Sequence, residues 1–150
     1  MPVSKTGVPG ANPGGPAMGN TYHGIILDAE FKHPDYVNRF SIFAKRTDVK
    51  NDWICFGIEI EAEKLEQTIN DIQKNLRADA PFYAHLYNGK ELIVIFREKV
   101  FRVGLDKKTW RPLKEYGSRV LQIPCEQLDF WPTTFEEEPK YFTRERGLIG

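Results

Sequence analysis

The segment from Phe82 to Val103 constrains the fold more than any other part of the chain. It contains the apolar runs FYAHLY, KELIVIF and VFRV, separated by Asn88-Gly89 and by a short polar stretch around Arg97-Glu98. Asn-Gly favours a type I′ turn, because both central residues of that turn need a positive φ. The segment therefore predicts an antiparallel meander of three strands joined by two-residue turns.

The predicted pairing of this meander makes the sheet apolar on both sides. A two-residue turn at 88–89 predicts Tyr87 opposite Lys90 and His85 opposite Leu92, and a turn at 97–98 predicts Val94 opposite Phe101. Since antiparallel sheets commonly leave one face to water, we expect here a cover on each face. Successive side chains alternate, so one face should carry Phe82, Ala84, Leu86, Ile93, Ile95 and Val100, and the other Tyr83, His85, Tyr87, Leu92, Val94, Phe101 and Val103.

The rest of the chain predicts an α+β fold with a mostly antiparallel sheet. Alternating apolar residues predict strands over 22–31, 40–46 and 53–60. A helix over 63–77 has a stripe formed by Leu65, Ile69, Ile72 and Leu76. A second helix, capped by Thr109, has the stripe Trp110, Leu113, Gly117 and Val120. The order β-β-β-α-β-β-β-α, with two main helices packed on the sheet, is typical of the α+β class.

Composition divides the chain into three parts. Residues 1–20 are rich in glycine and proline and poor in apolar side chains, which predicts a flexible tail. Residues 21–135 are predicted to form a single α+β domain, since a chain of 150 residues can bury a sufficient core without a metal or a disulfide. Residues 136–150 are predicted to be an acidic and aromatic C-terminal extension.

The two predicted helices can cover one face of the meander, so the other face needs a cover of its own. Three candidates exist: the C-terminal segment, a partner subunit, or a small ligand. The C-terminal segment is favoured because its aromatic residues have no other evident role; these are Phe130, Trp131, Phe135, Tyr141 and Phe142.

His85, flanked by Tyr83 and Tyr87 on one strand face, is the sharpest candidate catalytic group. A histidine at such a place could act as a general acid or base near neutral pH. The alternative, which we favour, is a half-buried histidine hydrogen-bonded to a phenol or to the backbone. Asp28 and Glu30 form a second candidate pair for acid–base or metal chemistry, but two acids on the wet side of an edge strand are commoner.

The cysteines and histidines indicate neither a metal site nor a disulfide. Cys55 and Cys125 lie far apart in sequence and are typical of reduced thiols, which favours a cytoplasmic location. The three histidines lack metal-ligand spacing, and no motif for a cofactor is present. No apolar run approaches the length of a membrane span, so we expect a soluble protein without a membrane partner.

Charge is unevenly distributed along the chain. Residues 97–114 carry a local charge balance of +5, whereas residues 126–138 carry five acidic side chains and no basic one. Basic residues next to aromatic ones could bind a single-stranded nucleic acid, and the candidates are Arg97, Lys99, Arg102, Lys107, Lys108, Trp110 and Arg111. The net charge of zero argues against this use and favours a solvated surface that faces the acidic segment.

The stretch 24–130 resembles small bacterial proteins of unknown function. The resemblance lies in FYAHLYNGKELIVIFREKVFRV, in the following TW, and in IPCEQLDFWP. It implies a single soluble domain and carries over no catalytic residue, cofactor or partner.

The sequence thus leaves three functions open. A non-enzymatic interaction module, self-associating through an apolar sheet face or binding another protein, accounts for an apolar meander without converging catalytic groups. A small enzyme or ligand-binding protein would use the Tyr83–His85–Tyr87 face. A weak single-stranded nucleic-acid binder would use the basic 97–114 segment.

Overall fold

A computed structural model describes residues 21–48 and 52–143, and their central feature is a six-stranded sheet. The strand order is β2-β3-β1-β4-β5-β6, and every neighbouring pair is antiparallel. The strands are β1 (Thr21–Leu27), β2 (Ser41–Asp48), β3 (Trp53–Glu61), β4 (Tyr83–Tyr87), β5 (Leu92–Phe96) and β6 (Val100–Val103). With the helices that pack on this sheet, the predicted α+β class is confirmed.

The described residues also contain three α-helices and several shorter helical turns, some between the strands and the rest after β6. The α-helices are α1 (Leu65–Asn75), α2 (Arg111–Glu115) and α3 (Glu138–Thr143). The 3-10 turns span Asp28–Glu30, Pro34–Arg39, Ala62–Lys64, Lys107–Trp110, Cys125–Leu128 and Phe135–Glu137, and a π-helical turn spans Tyr116–Val120. Among the described residues, no helix combines the length and the apolar composition that crossing a membrane requires.

The meander forms as predicted, but with one error of register. Tyr87 lies opposite Leu92 and His85 opposite Val94, so the first connection spans residues 88–91 and is not a two-residue turn. The Asn88 side chain accepts hydrogen bonds from the N–H groups of Lys90 and Glu91, which closes this longer turn. The register shift amounts to two residues, and because side chains alternate with a period of two, every residue stays on its predicted face.

The second predicted turn is confirmed. Val94 lies opposite Phe101, and the N–H of Phe96 donates to the carbonyl oxygen of Lys99 across Arg97-Glu98.

The first face of the sheet packs against α1. The stripe of Leu65, Ile69, Ile72 and Leu76 is buried as predicted, because residues three and four apart share one side of the helix. It contacts strand residues from the centre of the sheet, which include Ile26, Ile58, Ala84, Leu86, Ile93 and Ile95. This layer is the largest apolar cluster in the described part of the chain.

The prediction that Asp28 and Glu30 lie on the wet side of an edge strand is wrong. β1 ends at Leu27 and lies between β3 and β4, so these acids are not on an edge strand. They belong to a 3-10 turn in which Glu30 is buried with 1% of its surface exposed. Its Oε2 accepts a hydrogen bond from the N–H of Leu27, which satisfies part of the buried carboxyl group.

The second face is covered by the chain that follows β6. Trp110, Leu113, Ile123, Leu128 and Phe130 pack on the apolar residues of β5. The C-terminal segment covers the rest of this face, where Trp131, Phe135, Tyr141 and Phe142 pack with Ile25 and Tyr87. The prediction that both helices cover one face is therefore wrong, because the helix after β6 lies on the second face; the C-terminal segment supplies the remaining part of that cover, as favoured.

The helix after β6 departs from its predicted stripe. Asp106 rather than Thr109 caps its first turn, since the Asp106 side chain accepts from the N–H of Lys108. Trp110, Leu113 and Gly117 are buried, whereas Val120 is 64% exposed. The turn over Tyr116–Val120 is π-helical, and its wider winding rotates Val120 away from the sheet.

The predicted domain limits can be compared with the structure only in part. The predicted tail, residues 1–20, lies outside the described residues. The predicted start of the C-terminal extension at residue 136 falls within the turn Phe135–Glu137, and Glu138 and Tyr141 of α3 are buried against the sheet.

Candidate functional site

His85, the sharpest candidate from the sequence, is buried with 5% of its surface exposed. Its Nε2 lies 2.9 Å from the carbonyl oxygen of Pro132, and because a carbonyl only accepts, Nε2 is the protonated nitrogen. Burial lowers the pKa of His85 to about 4, and the hydrogen bond to Pro132 opposes that shift. The imidazole is therefore a neutral, enclosed donor near neutral pH.

Tyr83 and Tyr87 share the second face with His85, as predicted, but each phenol bonds to the part of the chain that follows β6. The Tyr83 hydroxyl donates to the carbonyl oxygen of Gln127, and the Tyr87 hydroxyl donates to Oε2 of Glu138 at 2.5 Å. Burial raises the pKa of both phenols, and the Glu138 carboxyl group raises that of Tyr87 further. The structure thus brings the three residues together beneath a cover rather than beside a cleft.

A second polar group, which the sequence reasoning missed, lies next to Tyr87. We call His23, Tyr87 and Glu138 the buried polar cluster. Oε2 of Glu138 lies 2.6 Å from Nδ1 of His23 and 2.5 Å from the Tyr87 hydroxyl, and Glu138 is only 8% exposed. His23 and Tyr87 are cross-strand partners on β1 and β4. Glu138 comes from a distant part of the chain, so no local pattern could have indicated this cluster.

Aromatic rings enclose the imidazole of His23. The ring centroid of Phe43 lies 4.3 Å away and that of Phe135 lies 4.1 Å away, the latter in a stacked arrangement. On its other side, Nε2 of His23 lies 3.8 Å from Oε2 of Glu59, which is half exposed. The cluster joins β1, β4 and α3, and its geometry suits the attachment of the C-terminal segment to the sheet.

The basic segment is largely neutralised by neighbouring acids. Arg102 pairs with Glu66 at 2.6 Å and with Glu91 at 3.0 Å, and Lys107 pairs with Asp129 at 2.8 Å. Arg97 and Arg111 contact acids close by in sequence, Glu98 and Glu115, and Lys99 lies over the ring of Phe101.

Two residues of this segment bear directly on nucleic-acid binding. Trp110 is 1% exposed, and its Nε1 donates to the carbonyl oxygen of Gly104, so its ring offers no face for a base. Lys108 lies with Lys107, Arg111 and Lys114 around a shallow basic depression on the helix that follows β6.

A larger groove of about 820 Å³ runs between α1 and the ends of β2 and β3. Its charged residues have mixed signs: Arg39 lies 3.6 Å from Asp71, and Lys64 lies 4.0 Å from Glu61. Within residues 21–48 and 52–143, no three His, Cys, Asp or Glu side chains are placed to hold a metal ion. The mixed charges of this groove therefore favour neither an anionic nor a cationic ligand.

The edge strand β2 carries the clearest exposed apolar feature. Ile42 and Phe43 are 39% and 40% exposed, and Val120 is the third large apolar side chain exposed in the described part of the chain. β2 pairs with β3 on one side only, with a register irregularity between Ile42 and Ala44. Two of these three side chains thus belong to consecutive residues of an open sheet edge.

Comparisons of this chain with protein-family models, with curated proteins and with solved structures find no match. Its function is therefore inferred from its own geometry.

Proposed function

We propose that this protein is a non-enzymatic interaction module that self-associates through the edge strand β2. The observation that carries the proposal is the position of Ile42 and Phe43, two of the three exposed large apolar side chains in the described residues, on this one strand. Exposed apolar side chains clustered at one place tend to mark interfaces.

The sheet edge, rather than a sheet face, is the surface that remains available. Both faces are covered, the first by α1 and the second by the segment from Trp110 to Phe142. An edge strand presents backbone N–H and C=O groups that can pair with another strand. The opposite edge, β6, spans only Val100–Val103, so β2 offers the longer ladder.

A second copy of the chain fits this edge in an antiparallel arrangement. A twofold axis perpendicular to the sheet would relate the two β2 strands, so that their backbone N–H and C=O groups extend the ladder from one copy into the other. A closed twofold pair also leaves no further β2 edge free.

The irregularity at Phe43 limits how strong such pairing can be. A bulge bends an edge strand and is one of the devices by which proteins restrict strand addition. We therefore expect a reversible dimer with a Kd of roughly micromolar size, about −8 kcal/mol, rather than an obligate one.

Sedimentation equilibrium over a series of protein concentrations tests the proposal. Ile42→Glu should weaken dimerisation at least about tenfold, because the new carboxylate must lose water in the interface. Val120→Glu is the matched control, since it adds the same charge at an exposed apolar site distant from β2. A strict monomer at about 1 mM, or equal weakening by both variants, would refute pairing through β2.

The alternatives have less support from the geometry. An enzyme or ligand binder on the Tyr83–His85–Tyr87 face would need an opening that the C-terminal segment closes. A single-stranded nucleic-acid binder would need an exposed stacking ring beside the basic residues, and Trp110 is buried. A salt titration of binding to a single-stranded oligonucleotide tests the latter, since electrostatic binding strengthens steeply at low salt.

A further inference from the structure

The helix α3 is short, and it buries only two of its six residues. It spans Glu138–Thr143, and a helix of this length is unstable in water without tertiary contacts. Within α3, Glu138 and Tyr141 are the buried residues. The carboxyl group of Glu138 contributes both hydrogen bonds of the buried polar cluster, one with His23 and one with Tyr87.

The aromatic residues of α3 lie on a site shaped to receive them. A Cβ atom at Gly57 would lie 2.7 Å from Cζ of Phe142 and 2.7 Å from Cζ of Phe43, so the absence of a side chain at Gly57 makes room for both rings. Phe142 contacts Phe43 edge to face, with 5.8 Å between ring centroids. α3 thus rests directly on β3 and on the edge strand β2.

The buried thiol of Cys55 lies near α3 and takes no part in the contacts described so far. The guanidinium of Arg46 lies 4.3 Å from the ring centroid of Tyr141, and its Nη2 donates to the Tyr141 hydroxyl at 3.1 Å. The same nitrogen lies 3.6 Å from Sγ of Cys55, which is 3% exposed. Arg46 thus lies between Cys55 and Tyr141, and through Arg46 the helix α3 contributes to the cover of the thiol.

We propose that α3 is a latch, held closed by Glu138, whose local opening uncovers Cys55 while the six-stranded sheet stays folded. Segments with few buried contacts open with a smaller free energy than the core does. The core of this sheet is anchored by other groups, among them α1 and Trp110, which belong to apolar clusters that contain no residue of α3. The latch does not depend on the self-association proposed above, since its contacts all lie within one chain.

The rate of Cys55 modification by a disulfide reagent such as DTNB measures the opening. Cys125 is exposed and would react first, so the measurement uses a Cys125→Ser background. Wild-type Cys55 should react through local opening, at a rate well above the one that global unfolding allows and nearly independent of low urea concentrations.

Two matched substitutions then assign the latch to Glu138. Glu138→Ala should raise the Cys55 reaction rate roughly 10- to 100-fold, because the Tyr87 hydroxyl and His23 lose their common partner. Glu136→Ala should change it less than about twofold, because Glu136 is exposed on the same short segment. Glu138→Gln keeps an oxygen acceptor and should give an intermediate rate, which preserves the test if the alanine variant does not fold.

The proposal is overturned by either of two results. The first is a Cys55 reaction that follows global unfolding, with the same urea dependence, in every variant. The second is a reaction rate that Glu138→Ala and Glu136→Ala change equally.

Discussion

The burial of His85 makes stability depend on pH in a way that a single substitution can isolate. His85 stays neutral in the folded protein down to about pH 4, whereas the unfolded chain takes up a proton below the ordinary pKa of 6.5. Between these values the unfolded state binds more protons, so stability is complete above pH 6.5 and is lost as pH falls toward 4. At 1.36 kcal/mol per pH unit, the loss is about 3 kcal/mol.

The comparison of wild type with His85→Gln separates this loss from the titration of other groups. Glutamine does not titrate, and its amide N–H can still donate to the carbonyl oxygen of Pro132. The free energy of unfolding, measured by urea denaturation at several pH values from about 7 to 4, should fall by about 3 kcal/mol more in the wild type. Acid curves that run parallel would refute the neutral, enclosed state of His85.

Two further predictions concern buried positions near β1. Burial raises the pKa of Glu30, so the folded protein binds this proton more tightly and wild-type stability falls as pH rises through that pKa. Glu30→Gln, which resembles the neutral acid, should be more stable than wild type at about pH 8 in urea denaturation and lose this advantage on acidification; a less stable variant at alkaline pH would contradict the reasoning. Gly24→Ala would place a Cβ 2.4 Å from Cδ2 of Leu86 and should lower the free energy of unfolding in urea by about 1–3 kcal/mol. Gly104→Ala, whose Cβ would have no atom nearer than 3.7 Å, should lower it by less than about 0.5 kcal/mol. Equal losses in the two variants would contradict the close packing at Gly24.

The sequence predicts the faces of the meander better than its register. Alternation decides which side of the sheet a residue takes, and an error of two residues does not change that side. The length of the turn after Tyr87 depended on the Asn88 side chain, which bonds to two backbone N–H groups and stabilises a longer connection. The stripe of α1 was predictable because it follows from one helix alone.

The features that the sequence did not indicate depend on contacts between distant segments. The buried polar cluster needs β1 next to β4, and it needs Glu138 to return to that pair of strands. The exposure of Val120 follows from a π-helical turn that a regular helical period does not anticipate. Glu30 is buried because β1 lies inside the sheet, a position that strand order alone decides.

The segments that cover the two faces of the sheet are synthesised at different times. α1 precedes the meander in the chain, whereas the cover of the second face, from Trp110 to Phe142, follows β6. At roughly 5–20 residues per second, the about 40 residues between Val103 and Thr143 take roughly 2–8 s to synthesise. During that interval a nascent chain has every strand but an uncovered apolar face, and this is when a chaperone or a second nascent chain would have access to it.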